Sequence, residues 1–221
     1  MSIGEGTRAK LLEAAGEEFA AKGYEAASIR KICDRVGANS AAVNYHFGSK
    51  EQLYVAAVLE AHRCGTELLP EELFREASPA EQLRRFIHHF LGNVLVISRE
   101  DSWHQALILR EMLQPTASAS ETLVREAIRP RFERLRGILR RICPEADERR
   151  LAALAFSVVG QCLHYRVAGP IPRRLVGDEV YESLDLEFLT DHITTFCLAA
   201  LGQVPPLDAA GQTAADEAAR A

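Results

Sequence analysis

The chain has 221 residues, of which 48% are hydrophobic and 26% charged, and its formal net charge is −5. This length suits one or two globular domains with a sizeable core. No stretch approaches the roughly 18 consecutive apolar residues of a membrane-spanning helix. The N-terminal sequence MSIGEGTRAK lacks the apolar segment of a secretory signal peptide, so we expect a cytoplasmic protein with no membrane partner.

The charges are unevenly distributed along the chain. All four lysines lie within the first 50 residues, and residues 1–65 are neutral overall, whereas the remainder carries the net negative charge. A protein that binds DNA usually presents a basic face. A neutral segment can still present one if its acidic side chains, here Glu13, Glu17 and Glu18, point away from it. The net charge therefore neither indicates nor excludes DNA binding.

Four helices are predicted in the first 65 residues. The first spans about Thr7–Lys22 and ends at Gly23, and the next three follow the N-caps Ser28, Asn39 and Ser49 and reach Val36, Phe47 and about Cys64. Gly37 ends the second helix, because a residue without Cβ enters the left-handed conformation at low cost. Two helices joined by a short glycine-containing turn form a helix-turn-helix, here residues 28–47, whose second helix fits a DNA major groove.

The rest of the chain also has helical periodicity and no alternating strand pattern. Helices are predicted from Pro79 and at about residues 102–113, 120–142, 147–167 and 186–201. Pro130 lies inside one of them and should kink or divide it. The predicted fold is therefore all-α, with an N-terminal three-helix helix-turn-helix domain joined by a fourth helix to a larger helical bundle. The predicted domains are residues 1–65 and 78–202, with a linker at about 68–79 and a disordered tail at 203–221.

Three linked sequence elements resemble the DNA-binding domain of the tetracycline-repressor (TetR) family of bacterial transcription regulators. They are the first-helix pattern AAxxxFAxxGYxxxS, the segment VGANSAAVNYHF and the following GSKEQL, which occur in this order at fixed spacing. A later segment resembles one C-terminal subclass of that family. It runs from Arg110-Glu111 through Pro115-Thr116 to Ile128-Arg129-Pro130-Arg131-Phe132, together with Gly160-Gln161.

The resemblance implies a homodimer whose two recognition helices enter successive major grooves of a palindromic operator, about 34–36 Å apart. It places base-reading side chains on the third helix, and phosphate contacts at the helix N-termini and on nearby cations. The residues it assigns to DNA binding are Ser28, Arg30, Asn39, Ser40, Ala41, Asn44, Tyr45, His46 and Lys50. Val43 and Phe47 are expected to be core. Asn44 departs from the family, where an aromatic residue is frequent, so the operator cannot be inferred from relatives.

The second bundle is expected to hold the dimer interface. The segment Leu151–Leu163 is apolar on nearly every side, and a helix of this kind must be buried on every side. We expect it to pack with the last helix against the same pair in a partner chain, although burial within one chain is the alternative. The predicted interface residues are Leu151, Leu154, Val158, Gly160, Leu189, Ile193 and Phe196.

The same bundle is expected to bind a small-molecule effector whose binding releases the operator, since repression is the usual role in the family. Ligand pockets are mostly apolar with a few convergent polar groups. Candidate pocket residues are the aromatic or polar residues Phe86, Phe90, Trp103, His104, Leu107, Arg110, Phe156, Gln161, His164 and Tyr165. For any one of them, an ordinary core or surface role is favoured over a ligand contact.

Other functional classes find less support in the sequence. Catalytic and phosphate-binding motifs such as Gly-x-Ser-x-Gly and His-Glu-x-x-His are absent, so we expect no enzyme, no cofactor and no metal. The five cysteines are an odd number without a Cys-x-x-Cys pair, which favours buried reduced thiols. A thiol-redox or metal sensor on the same DNA-binding head stays an alternative, with Cys64 as its candidate. A helical adaptor is the remaining alternative.

Overall fold

The computed structural model describes residues 3–64, 74–97, 102–168 and 171–205, which are helical with no strand among them. The helices are α1 (Ile3–Ala26), α2 (Ile29–Val36), α3 (Ser40–Phe47), α4 (Lys50–Cys64), α5 (Pro79–Ile97), α6 (Trp103–Leu113), α7 (Ala117–Leu123), α8 (Arg129–Ile142), α9 (Glu148–Val167), α10 (Ile171–Val176), α11 (Asp178–Ser183) and α12 (Leu186–Ala200). The predicted all-α fold is confirmed. Half of the predicted linker and most of the predicted disordered tail lie outside the described residues.

The helix ends near the helix-turn-helix follow the predicted signals. The Ser28 hydroxyl accepts the Lys31 N–H at 3.4 Å, and the Asn39 side chain accepts the Ala42 N–H at 3.1 Å. Gly37 has a φ of 68° and ends α2 in the left-handed conformation. Gly23, with a φ of 77° and a ψ of 174°, interrupts the helical geometry of α1 at its predicted end, and a short helical segment then continues to Ala26.

Pro130 does not divide the predicted helix at residues 120–142, because the backbone dihedrals stay helical at Leu123, Val124 and Arg129, but the hydrogen-bonding pattern changes just before it. A π-helical segment, Val124–Ile128, lies between α7 and α8 immediately before Pro130. Because Pro130 has no N–H, it cannot donate to the carbonyl four residues earlier, and the hydrogen-bonding pattern changes in that turn. The short helices α10 and α11 were not predicted, because six residues are too few to show a helical period.

The chain forms two compact units. The N-terminal unit contains Met1–Glu67 and Val96–Arg131, and the C-terminal unit contains Leu68–Leu95 and Phe132–Ala221. α6 and α7 therefore belong with the predicted DNA-binding helices, whereas the sequence suggested one continuous second domain from residue 78. Leu107 and Leu123 explain the difference, because they are buried in the core formed with α1 and α4. Periodicity identifies an apolar face but not the element that covers it.

A buried carboxylate connects α4, α6 and the start of α7. Glu111 of α6 is 2% exposed. It accepts the Tyr54 hydroxyl of α4 at 2.8 Å and the Thr116 N–H at 2.9 Å. Burial and the neighbouring carboxylate raise the pKa of Tyr54, which keeps its proton on the hydroxyl for donation.

α6 also packs against α1 near both of its ends. The Trp103 ring occupies the space that a Cβ on Gly16 would need, and its indole N–H donates to Glu13 at 2.7 Å. The Arg110 guanidinium donates to the carbonyls of Ala20 and Ala21 at 3.3 and 3.4 Å. α6 is therefore held to α1 by close packing and by hydrogen bonds.

A second carboxylate ties α1 to the start of α2. Glu18 is 7% exposed and accepts the Lys22 ammonium at 2.6 Å and the Ser28 N–H at 3.3 Å. The hydrogen bond from Lys22 lowers the pKa of Glu18 despite the opposing effect of burial. This contact fixes the residue at which the helix-turn-helix begins.

In the C-terminal unit, α9 is buried on one side only. Leu151, Ala155, Val158 and Cys162 lie in a core shared with α5, α8 and α12. Phe156, which lies between them in sequence, is 65% exposed. The expectation that α9 is buried on every side is therefore not met within one chain. Within the described residues, no helix is long and apolar enough to cross a membrane.

Tyr54→Phe should destabilise the N-terminal unit. The change removes the hydroxyl donor at 2.8 Å and leaves that buried carboxylate oxygen with only the longer contact from the Thr116 hydroxyl at 3.3 Å, which should cost about 1–3 kcal/mol of unfolding free energy. Urea unfolding would measure this loss. Tyr24→Phe is the matched control, because that ring lies 5.1 Å from Tyr54 and its hydroxyl makes no hydrogen bond within the described residues. Equal losses in the two variants would contradict the importance of the Glu111 contact.

Glu18→Gln should lower stability at neutral pH but not in acid. Because the pKa of Glu18 is lower in the folded state, its stabilisation is present above the unfolded pKa of about 4.3 and disappears as the pH falls through the folded value. We expect a loss of about 1–2 kcal/mol near pH 7, with the two proteins converging in acid below the folded-state pKa of Glu18. Chemical unfolding at neutral pH and in acid would test this, and a difference that does not change with pH would contradict it.

Candidate DNA-binding surface

The recognition helix α3 has one buried side and one exposed side. Val43 and Phe47 are 1% and 8% exposed and hold the helix to the core. The other side of α3 faces solvent, with Tyr45 84% exposed and Ser40, Ala41 and Asn44 also exposed. The two core positions are therefore confirmed, and the predicted base-reading side chains share one accessible face.

The predicted phosphate contacts cluster around the helix ends. Ser28 and Asn39 use their side-chain oxygens to cap α2 and α3, which leaves the hydroxyl proton and the amide NH₂ for an outside acceptor. The Lys50 ammonium donates to the Glu25 carbonyl at 3.1 Å and lies 4.9 Å from the centre of the Tyr24 ring. Neither partner is a carboxylate, so the charge of Lys50 stays available to a phosphate.

Two of the remaining candidates differ in exposure. The Arg30 side chain is 91% exposed and lies 3.9 Å from Asp34, a loose contact. His46 is half-buried, with its ring 4.9 Å from that of Tyr45. Arg30 is therefore free to reorient towards an anion, whereas the position of His46 is set by its neighbours on α3.

Arg8 and Lys31 were not among the predicted DNA contacts. The Arg8 guanidinium lies 4.9 Å from the centre of the Phe47 ring, which brings a charge from α1 to the end of α3. Lys31 is exposed beside Arg30 on α2. Its position directly after Arg30 was a signal in the sequence. The placement of Arg8 depends on tertiary packing, and no local pattern indicates it.

Three of the acidic side chains of α1 are held by other partners. Glu13 accepts the Trp103 indole, Glu17 pairs with Arg35 at 2.6 Å, and Glu18 is bound to Lys22. The helix α3, with the sequence SAAVNYHF, contains no acidic residue. The N-terminal unit can therefore offer an accessible polar face with cations around it although residues 1–65 are neutral overall.

The ten predicted pocket residues divide between the two units. In the N-terminal unit, Leu107 is fully buried, Arg110 donates to carbonyls of α1, and Trp103 packs against Gly16 and His104. The C-terminal unit contains the other candidates, which are Phe86, Phe90, Phe156, Gln161, His164 and Tyr165. Three clefts in the described part of the chain are lined by other residues. The interior pocket therefore stays a prediction.

The cysteines that the structure describes are mostly buried. Cys33, Cys162 and Cys197 are free and buried, and burial raises the pKa of each thiol, to about 12 for Cys162. A thiol is reactive as the thiolate, so these three are poor redox sensors. The surroundings of the Cys64 side chain lie outside the described residues. Among the described residues, no group of three or more His, Cys, Asp or Glu could hold a metal ion.

The comparison with known proteins agrees with this geometry. Residues 11–57 match the family model described as bacterial regulatory proteins, tetR family. Residues 79–201 match the C-terminal domain of the HTH-type transcriptional dual regulator CecR. CecR of Shigella flexneri is 27% identical over 201 residues, which cover 86% of this chain and 89% of CecR. The transcriptional repressor Rv3405c of Mycobacterium tuberculosis (strain H37Rv) is 34% identical over 125 residues, 57% of this chain and 60% of the repressor.

A solved structure supports the fold over most of the chain. AibR, in complex with isovaleryl coenzyme A and operator DNA, aligns with a TM-score of 0.59 at 21% identity, covering 86% of this chain and 97% of AibR. An identity this low supports the fold alone. The two family models together span both predicted domains, and the CecR model alone covers more than half of the chain. The chain therefore belongs to the TetR family of bacterial transcriptional regulators and has a C-terminal domain of the CecR type.

Proposed function

We propose that this regulator is a repressor that binds a palindromic operator as a homodimer and is released by a small-molecule ligand. The observation that carries the proposal is the exposed polar face of α3, which is held by two buried side chains and surrounded by cations. A helix of this kind fits the major groove, where each base pair has a distinct pattern of donors and acceptors. The related Rv3405c is named a repressor, which supports repression rather than activation.

Base reading falls to three side chains of α3. The Asn44 amide can pair with an adenine edge through two hydrogen bonds, and the Ala41 methyl group can contact a thymine methyl. Tyr45 is the most exposed large side chain of the helix and can reach a base or its sugar. Lys50, Arg30 and the capped starts of α2 and α3 bind phosphates and fix the position of the helix in the groove.

A homodimer is supported by an exposed apolar surface on the C-terminal unit, which we call the α9–α12 face. We assign to it Phe156 on α9, whose ring also stacks on Phe132 of α8 at 5.3 Å, and Phe188 and Phe196 on α12; the three are 65%, 53% and 48% exposed. The Gln161 amide lies 3.5 Å from the Cys197 sulfur, so the two helices are adjacent. Exposed aromatic side chains on two neighbouring helices are typical of an interface between proteins.

The α9–α12 face replaces part of the interface that the sequence suggested. Leu151, Val158, Leu189 and Ile193 lie in the core of one chain, with exposures of 0–3%. Gly160 and Phe196 are exposed, and Leu154 is half-buried. A helix that is apolar all round has two apolar faces, and its sequence does not reveal which one turns inward.

Release by a ligand requires that the ligand favour a state with lower affinity for DNA. Because α6 and α7 share a core with α1 and α4, a shift of α6 would be transmitted to the DNA-binding helices. Glu111 and Arg110 are the contacts through which such a shift would act. The complex of AibR with both isovaleryl coenzyme A and operator DNA provides a precedent for binding of a small molecule and of DNA within the same fold.

A gel-shift titration against DNA fragments of the source genome, including the one upstream of its own gene, tests the proposed function directly. We expect saturable binding to a small set of fragments that contain an inverted repeat, with binding that weakens as salt is raised. If the folded protein binds none of these fragments at low salt, the proposal is refuted. Candidate effectors found by a thermal-shift screen should then lower the affinity for the selected fragment.

Lys50→Ala and Asn44→Ala should affect DNA binding in different ways. Lys50→Ala should weaken binding to all sequences to a similar extent and reduce the salt slope by about 1. Asn44→Ala should cost about 1–3 kcal/mol on the best operator and relax the preference at one base pair. Fluorescence anisotropy over a series of salt concentrations and single-base operator variants measures both effects. The reverse assignment would contradict the proposed docking of α3.

Phe156→Glu together with Phe196→Glu should convert the dimer to a monomer. Both side chains are exposed within one chain, so the charges should leave the fold intact but oppose burial of the α9–α12 face. Sedimentation velocity would measure the change in mass. Leu113→Glu is the matched control, since Leu113 is 68% exposed on α6 and lies outside this face. A double variant that remains dimeric would contradict the proposed interface.

A further inference from the structure

We propose that the C-terminal unit carries a separate small-molecule site, a basic cleft that binds a phosphate-bearing compound through Arg75 and Arg141. The cleft lies between the turn at residues 74–76, the start of α5 and the second half of α8. None of the predicted interior pocket residues lines it. The inference therefore goes beyond the proposed operator binding and does not depend on it.

The size and lining of the cleft suit a small organic anion. Its volume is about 380 Å³, within the usual range of small-molecule pockets. Three arginines, Arg75, Arg134 and Arg141, line it, and no acidic residue does so among the described residues. Phe74 and Ile138 supply an apolar part, with the Arg134 guanidinium 5.0 Å from the centre of the Phe74 ring.

A buried glutamine organises the cleft. Gln82 is 5% exposed, and its amide NH₂ donates to the carbonyls of Phe74 and Ala77 at 2.7 and 2.9 Å. Its carbonyl oxygen accepts a hydrogen bond from the Arg141 guanidinium. A single side chain therefore fixes both the turn that carries Arg75 and the guanidinium on α8. Because the turn and this guanidinium are already held in place, less conformational entropy is lost when a ligand binds to them.

The arginines of α8 differ in how their charge is balanced. Arg136 and Arg140 both pair with the carboxylate of Glu148 at the start of α9. Arg141 is held by neutral acceptors, the Gln82 side chain and the Gly137 carbonyl at 3.4 Å. Its position is set by hydrogen bonds while its positive charge is left for an anion. A guanidinium presents paired N–H donors that match the oxygens of a phosphate group.

Gly137 lies in the middle of α8 and lines the same cleft. Glycine inside a helix is less stable than alanine, and a Cβ at this position would meet no atom within 4 Å. Packing therefore does not require glycine here. The missing side chain keeps the space over the helix open between Arg134 and Arg141, which is where a ligand would lie.

Isothermal titration calorimetry with ADP and with inorganic pyrophosphate tests the cleft at low salt. We expect both probes to bind the wild-type protein, ADP more tightly because its planar base can contact Phe74. Arg141→Gln and Arg75→Gln should each weaken ADP binding about tenfold or more, as expected for a lost hydrogen bond to a charged group. Arg140→Gln is the matched control on the same helix and should bind ADP as the wild type does.

Substitutions of Gly137 give an independent test that does not alter a buried side chain. Gly137→Glu should abolish ADP binding by filling the cleft with an acidic side chain, whereas Gly137→Ala should retain binding and melt at a higher temperature. Circular dichroism confirms that each variant is folded. The proposal is overturned if Arg141→Gln or Gly137→Glu binds ADP as tightly as the wild type. Tighter binding of citrate than of ADP would overturn the phosphate class.

Discussion

The buried carboxylate of Glu111 is the interaction on which the arrangement of the N-terminal unit depends. A carboxylate removed from water is costly unless its oxygens are hydrogen-bonded, and here Tyr54 of α4 and Thr116 before α7 supply the donors. The requirement for these donors fixes α6 against the helix that follows the recognition helix. The N-terminal unit thus includes two helices that the chain reaches only after α5.

Much of the proposed DNA-binding surface was predictable because its signals are local. Ser28, Gly37 and Asn39 each act on their own helix ends, and α3 has the predicted bounds of Ser40–Phe47. The buried and exposed sides of α3 follow from the positions of Val43 and Phe47 in a single turn. Within one short helix, residue spacing fixes the direction of each side chain, whatever the rest of the chain does.

The features that the sequence did not reveal are those set by distant packing. α6 belongs to the N-terminal unit because Leu107 is buried against α1 and α4. The sequence alone does not tell whether its apolar face packs in this unit or in the C-terminal one. The inward side of α9 is likewise chosen by α5, α8 and α12, which leaves Phe156 exposed. Arg8 comes near α3 through the ring of Phe47, 39 positions later in the chain. Hydrophobic periodicity identifies the apolar face of a helix, but only the packed core shows which helices cover that face.

Local charge balance accounts for basic surfaces on a chain with a net charge of −5. Glu17 and Glu18 pair with Arg35 and Lys22, and Glu148 neutralises two arginines of α8. A cation whose hydrogen-bond acceptors are neutral keeps its net positive charge, as Lys50 does at the Glu25 backbone carbonyl and Arg141 at Gln82. The net charge sums all of these groups, whereas an anion responds to those within a Debye length, about 8–10 Å. The positions where a cation is fixed by neutral acceptors therefore indicate anion binding better than the net charge does.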